Sequence, residues 1–231
     1  MEEGGCINGS QFGQDDAWLS CELSFVGGYG DAASFVLTKT FTGHVTGNLV
    51  LAAIAVAAHD WRAALGRLTA IVTFLIGTGL SLLIVRPLRA WPSLRLLPSI
   101  MATEAILIAA ASLTLASNMA HGVEMFVILV SLALGLQNGT LRRADVTSVR
   151  TTYLTGTITS LISRETERYV SEVPQPSAAA AYSNVGLLGG IGIAFVLGAE
   201  AGAAMVLRFK ALGMLGAAVL LCAFIAREAR S

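Results

Sequence analysis

An all-α bundle of membrane-spanning helices with an internal two-fold repeat is the fold this sequence predicts, on three observations. The chain is 55% hydrophobic and only 13% charged, roughly half the charge of an ordinary soluble domain, with a mean hydropathy of +0.70. Apolar runs at residues 68–85, 100–116, 123–136, 187–206 and 212–226 reach or approach the ~20 residues a helix needs to cross a bilayer. Finally, a polar, glycine-punctuated segment occurs twice. Phe41-Thr42-Gly43-His44-Val45-Thr46-Gly47-Asn48 leads into apolar 49–58, and Thr151-Thr152-Tyr153-Leu154-Thr155-Gly156-Thr157 leads into 158–163. The organisation expected is a short solvated tail, residues 1–17, and one transmembrane domain, residues 18–227, built of repeats 18–117 and 123–227.

The tail carries Glu2, Glu3, Asp15 and Asp16 and no Lys or Arg, the opposite of a secretory signal's positive start. The first span, residues 18–37, contains Glu22, the cluster Gly27-Gly28-Tyr29-Gly30, and Asp31. A carboxylate at membrane depth costs about 2.5–3.5 kcal/mol on insertion scales. Asp31 therefore either faces a partner or a watery path, or caps a helix end; both readings stand. The apolar stretch 49–58 is too short to be an ordinary span and reads as a re-entrant or interfacial helix, with Thr46, Gly47 or Asn48 as its N-cap.

The third element, residues 68–85, is bounded by Arg62, Arg67 and Arg86-Pro87. Residues 86–98, rich in Arg and Pro and carrying Trp91, fit an interfacial loop with an aromatic anchor. Pro98 then opens the fourth element, in the position a helix tolerates best. Glu104, about one turn inside, is expected to be solvated at the interface. After a turn at 117–122, the fifth element, residues 123–136, ends in Gln137-Asn138-Gly139 with Arg142 and Arg143 beyond. A second short helix at 152–163, a long loop at 164–182 and two last spans at 185–207 and 212–226 complete the chain. On the sixth span, Gly186, Gly190, Ala194, Gly198 and Gly202 recur every four residues. Small residues at that spacing let two membrane helices approach closely, so a helix-packing seam is expected, with a partner in the same chain or in a homodimer.

Two topologies stay open. With both short segments re-entrant there are six full spans, and ten Lys/Arg lie inside against five outside (Lys39, Arg62, Arg67, Arg208 and Lys210). With both crossing there are eight spans and the split is nine against six. Each obeys the positive-inside rule. In the six-span version the repeat is inverted, and the two short helices point their N-termini, each with about half a positive charge, toward the midplane.

Four motifs carry a resemblance: Gly30-Asp31-Ala32-Ala33-Ser34-Phe35; Thr46-Gly47-Asn48-Leu49-Val50; Gly135-Leu136-Gln137-Asn138 with Arg142-Arg143; and Thr152-Tyr153-Leu154-Thr155-Gly156-Thr157-Ile158-Thr159-Ser160-Leu161. In this order they resemble the YoaK-type family, bacterial multi-pass membrane proteins that share a domain of unknown function. The resemblance runs from about Phe25 to Ala226, is least at Lys39–His44, and implies a bacterial inner-membrane protein without implying a substrate.

Two polar breaks at matching places in two halves are the sequence signature of a transporter-type site. The path is expected to use Asp31, Thr46, Gly47, Asn48, Gln137, Asn138, Thr155, Gly156 and Thr157, with Arg142 or Arg143 attracting an anion. The solute is then small and polar or anionic. A scaffold or sensor subunit working through the glycine seam is the competing class. Catalysis is not expected, since His44, His59 and His121 sit in separate segments and no nucleophile or metal-protease signature occurs. Cys6, Cys21 and Cys222 lack metal-type spacing. Neither a metal nor a cofactor is expected, and the zero net charge gives nothing for nucleic acid to bind.

Overall fold

The computed structural model describes residues 14–88, 96–141 and 178–228, and every regular element within them is helical. The helices are α1 (Gln14–Thr38), α2 (Val45–Ala57), α3 (Trp61–Leu88), α4 (Leu96–Ala116), α5 (Gly122–Leu141), α6 (Ala178–Phe209) and α7 (Leu215–Glu228), with a 3-10 turn at Lys210–Met214 between the last two. Most of the N-terminal tail, most of the 86–98 loop, and the second short helix at 152–163 lie outside the described residues.

Local chemistry explains the boundaries. α1 starts at Gln14, ahead of the expected Trp18. It stops where Lys39 turns left-handed at φ 59° and donates its N–H to the Phe35 carbonyl at 2.9 Å. α2 ends in a Schellman arrangement: His59 has φ 58°, its N–H reaches the Val56 carbonyl, and the Asp60 N–H reaches Ala55. Asp60 at once caps α3 by accepting the Ala63 N–H at 3.0 Å. α3 therefore begins at Trp61, earlier than the apolar run alone suggests.

Pair contacts set the directions. α1 and α6 run parallel: Ser24 donates to the Ile191 carbonyl at 2.9 Å, while Gly28 abuts Phe195, and Gly198 and Gly202 abut Phe25 and Tyr29. α3 and α5 also run parallel, with Arg62 at Glu124 near their starts, Gly135 against Phe74, Gly77 against Leu132, and Gly139 against Ser81. Near its end α4 meets the 3-10 turn, Ser112 donating to the Ala211 carbonyl at 2.7 Å. α7 returns to the start of α1, where Arg227 grips both carboxylate oxygens of Glu22. One end of the bundle thus holds the end of α1, the α2–α3 turn, the α4–α5 turn and the 3-10 turn. Lys39, Arg62, Arg208 and Lys210 sit at that end, with Arg67 two turns into α3.

Four stretches are long and apolar enough to cross a membrane: Trp61–Ser81, Pro98–Ala116, Gly122–Gly139 and Gly186–Arg227, the last divided by the 3-10 turn. α1, 25 residues long, is more polar, carrying Asp15, Asp16, Glu22 and Asp31. Leu65, Leu83, Ile106, Ile193 and Val219 are each more than 60% exposed, an outward apolar girdle suited to lipid rather than water. Inside, Leu23, Val26, Tyr29, Met101, Ile108, Phe126, Val130, Met214 and Leu221 form one core. Glu104 lies in that interior, at 0% exposure, and not at the interface as expected. α4 begins at Leu96, and its face Met101, Ala105, Ile108 and Ala111 turns inward, carrying Glu104 with it.

The glycine seam is specific in its contacts. A β-carbon on Gly198 or Gly202 would collide with the α1 backbone at Phe25 or Tyr29, whereas one on Gly190 would stand 3.5 Å from Cys21 Sγ and one on Gly186 would meet nothing within 4 Å. Ala194 is half-buried. Gly198→Ala should lower stability in detergent by about 1–3 kcal/mol through overpacking, with Gly186→Ala near neutral. Thermal unfolding followed by fluorescence checks this; equal melting of the two variants would contradict the packing.

Candidate functional site

The site is built where α1 ends and α2 begins. Asp31, 4% exposed, lies seven residues before the end of α1, about 10 Å along the axis. Beyond Thr38 the chain folds back along α1 to Asp31's level. There Asp31 Oδ1 accepts the Thr42 N–H at 3.0 Å and the Gly43 N–H at 2.6 Å. Its Oδ2 takes His44 Nδ1 in a short contact. Both carboxylate oxygens are thereby committed to residues 42–44.

Asn48 fastens the same loop from the other side. At 2% exposure, it accepts the Phe41 N–H at 3.0 Å and donates to the Phe41 carbonyl at 2.6 Å. Thr42 Oγ1 donates to Ser34 Oγ at 3.1 Å. Rings pack around these bonds. Phe41 stacks on Phe35 at 4.5 Å between centroids, and the His44 imidazole lies 5.7 Å from Phe41 and 5.8 Å from Phe195. Leu134 of α5 packs on Gly30 and Gly43.

α2 starts at this buried loop and runs outward for 13 residues, about 20 Å, to the turn where α3 begins. Its N-cap is His44, whose side chain makes no capping bond to the helix. Thr46, Gly47 and Asn48, each expected as the cap, lie instead in the first turn, and Asp31 from α1 holds the segment just ahead of the helix, Thr42 and Gly43 by their N–H groups and His44 by its ring. An inward-pointing helix N-terminus attracts an anion; here the Asp31 carboxyl bonds the residues immediately before that terminus.

The sequence-derived candidates divide accordingly. Asp31 and Asn48 come together on one loop; Gly47 lies against the Phe41 ring, 3.3 Å from where a β-carbon would stand; Thr46 is exposed. Gln137 and Asn138 are buried on α5, each at 5%, and Gln137 Nε2 has no hydrogen-bond partner. Arg142, Arg143, Thr155, Gly156 and Thr157 fall outside the described residues. Two groups were not singled out from the sequence. The sequence places His44 within the 41–48 motif without a role in the path, and Arg67 before the third span among the basic residues outside. Arg67 reaches the Lys39 carbonyl at 3.5 Å and keeps Nε and Nη1 buried without a partner among the described residues. A basic residue two turns inside a helix at membrane depth was the available signal.

The fold and this inward-turned polar segment define a helical, multi-pass membrane protein. The chain belongs to the DUF1275 family, described as a protein of unknown function, which matches residues 19–227. It is similar to the UPF0700 transmembrane protein YoaK of Bacillus subtilis (strain 168), 27% identical over 128 residues. That match covers 54% of this chain and 56% of the relative, so the chain spans a little over half the length of the protein it resembles. The YoaK-type resemblance carried by the four motifs is thus shown. No solved structure matches.

Substitutions at two positions test the loop. Asn48→Leu leaves the Phe41 N–H and carbonyl without partners and should cost about 1–3 kcal/mol for each group that water cannot reach, read as a lower melting temperature. Asp31→Asn keeps an acceptor for Thr42 and Gly43, whereas Asp31→Leu keeps none. Limited proteolysis within 39–44 should be faster for Asp31→Leu than for Asp31→Asn; equal rates would mean that the carboxylate does not order the loop.

Proposed function

We infer that this protein is a transporter or channel for a small polar or anionic solute in a bacterial inner membrane, not an enzyme, with six full spans and two re-entrant segments. The observation that carries the reading is the course of α2. Its first turn lies beside Asp31 within the bundle and its last at the surface where α3 starts. Non-helical backbone at membrane depth is tolerated only where protein or a watery cavity satisfies it, and such broken segments line the sites of transporters built from repeats.

Packing supports an inverted repeat. One shift of numbering carries Phe25 to Leu132 and Gly28 to Gly135, and a second carries Phe74 to Phe195 and Gly77 to Gly198. Under these shifts the contacts of Gly28 with Phe195 and of Gly198 with Phe25 become those of Gly135 with Phe74 and of Gly77 with Leu132. Asp31 then falls on Asn138, so the two expected path residues are equivalent. α1 and α5 run in opposite directions, as an inverted repeat requires. The five basic residues counted as outside in the six-span topology belong to one end of the bundle, which the positive-inside rule makes extracytoplasmic.

Solute chemistry follows from what is left unoccupied. Asp31 uses the loop N–H groups of Thr42 and Gly43, so among the described residues the anion-directed group is Arg67, with two guanidinium nitrogens unpaired. The scaffold alternative loses its main surface, because Gly198 and Gly202 pack against α1 within the chain; a homodimer would use another face.

Purified protein in liposomes, challenged with osmotic steps of small neutral and anionic solutes and followed by light scattering, tests the reading. Solute-specific shrinkage and reswelling, reduced in Arg67→Gln for anions only, is expected. Permeability equal to protein-free vesicles for every solute would reject it.

A further inference from the structure

Among the described residues, the side chains other than Arg67 that keep a buried polar atom without a hydrogen-bond partner are Glu104, Ser131 and Gln137. Glu104 sits two residues from the middle of α4 (Leu96–Ala116), at 0% exposure, and neither Oε1 nor Oε2 has a hydrogen-bond partner among the described residues. Ser131 Oγ on α5 is likewise buried and unpartnered. α4 and α5 are antiparallel across a short turn, and a β-carbon on Gly122 would lie 3.1 Å from the Thr114 carbonyl oxygen. Counting ten residues back from Thr114 and nine on from Gly122 places Glu104 and Ser131 at depths of roughly 15 and 14 Å. Both therefore lie close to the middle of a ~30 Å hydrocarbon core.

Among the described residues no cation answers this carboxyl. α4 packs against α5, α7 and the 3-10 turn. On α5 the charged group is Glu124, at the helix start and paired with Arg62. On α7, Arg227 is bonded to Glu22 and Cys222 is exposed; on the turn, Lys210 is exposed. The α7 residues buried in the same core are Ala217, Ala218 and Leu221. An isolated carboxylate in such surroundings is costly enough that the group neutralises instead, and an ionisable residue inside a membrane marks an ion or proton pathway by default.

We propose that Glu104 is a proton-binding site at mid-membrane depth, through which a proton gradient acts on the protein. In the conformation described it is the carboxylic acid. On release the O–H bond breaks, the electron pair stays on the carboxylate, and the proton passes to water that reaches the α4–α5 interface in another conformation. The coupling role rests on the transport reading above; the protonation does not.

The test uses the full chain in lipid vesicles. A hydrophobic carbodiimide adds whole to a protonated carboxylic acid, and peptide mass spectrometry locates it. Glu104 should be labelled, with slower labelling as pH rises and no protection by sodium at fixed pH; Glu104→Gln should show no label there. Infrared difference spectra of parent against Glu104→Gln should contain the carbonyl stretch of a non-hydrogen-bonded acid, which disappears on titration. The infrared measurement on the parent decides even where the variant folds poorly. Protection by sodium would make this an alkali-cation site and overturn the proton assignment, as would the absence of both label and band. A band unchanged from mildly acid to mildly alkaline pH would mean a fixed structural acid and also overturn it. Where vesicles carry solute, flux should respond to a pH gradient in the parent and lose that response in Glu104→Gln; a parent indifferent to the gradient rejects coupling. Vesicles with no flux at all reject the transport reading, while the label and band still decide Glu104's protonation.

Discussion

Everything distinctive in this bundle depends on one carboxylate accepting backbone N–H groups inside a membrane. Once the chain leaves α1 and turns back along it, Phe41, Thr42 and Gly43 carry N–H groups that no helix satisfies and lipid cannot. Asp31 meets two of them with a single oxygen, 2.6 and 3.0 Å away, and holds His44 with the other. Asn48 satisfies both the N–H and the carbonyl of Phe41. With these bonds in place α2 can begin in the interior and run outward to the surface. The buried Asp31 side chain is tolerated here because backbone N–H groups and the His44 ring meet its oxygens in close geometry, the condition under which burial of a polar group ceases to be prohibitive.

The remainder of the bundle is fastened by close backbone approach. α1 against α6 and α3 against α5 each place glycine on one helix beneath a carbonyl of the other. Lipid gives little reason for apolar side chains to leave it, so such pairs associate through dispersion contacts and through the depth of interlocking that absent side chains permit. Tyr29 extends the first pair toward the 3-10 turn by donating to the Gly213 carbonyl at 2.5 Å. α4, α5 and α7 enclose Glu104 in an interior whose other members are mostly apolar.

The helical class and the long apolar elements were legible in the sequence because hydropathy and length act locally. So was the special character of 41–48, since a polar stretch before a ten-residue apolar run suits neither a loop nor a span. What Asp31 does was not legible: its partners lie 11 to 13 residues on, and only the backward fold of the chain brings them together. Glu104 misled because its distance from Pro98 suggested the interface, whereas α4 starts two residues earlier and turns that face into the core. Arg67 was hidden for a similar reason, being counted as a flank of a span that in fact begins at Trp61. The seam was legible in spacing but not in partner, and its members differ: Gly198 and Gly202 lie against backbone, whereas a β-carbon on Gly186 would meet no described atom within 4 Å.

The central claim is that α2 enters and leaves the membrane on one face, which sets the fate of two exposed residues, Lys39 after α1 and His59 after α2. In a background free of Cys6, Cys21 and Cys222, single cysteines at these positions can be treated with a membrane-impermeant thiol reagent from either side. The account predicts labelling of both from the same, extracytoplasmic face. Labelling of Lys39→Cys from one face and His59→Cys from the other would mean that α2 crosses the bilayer, and would contradict it.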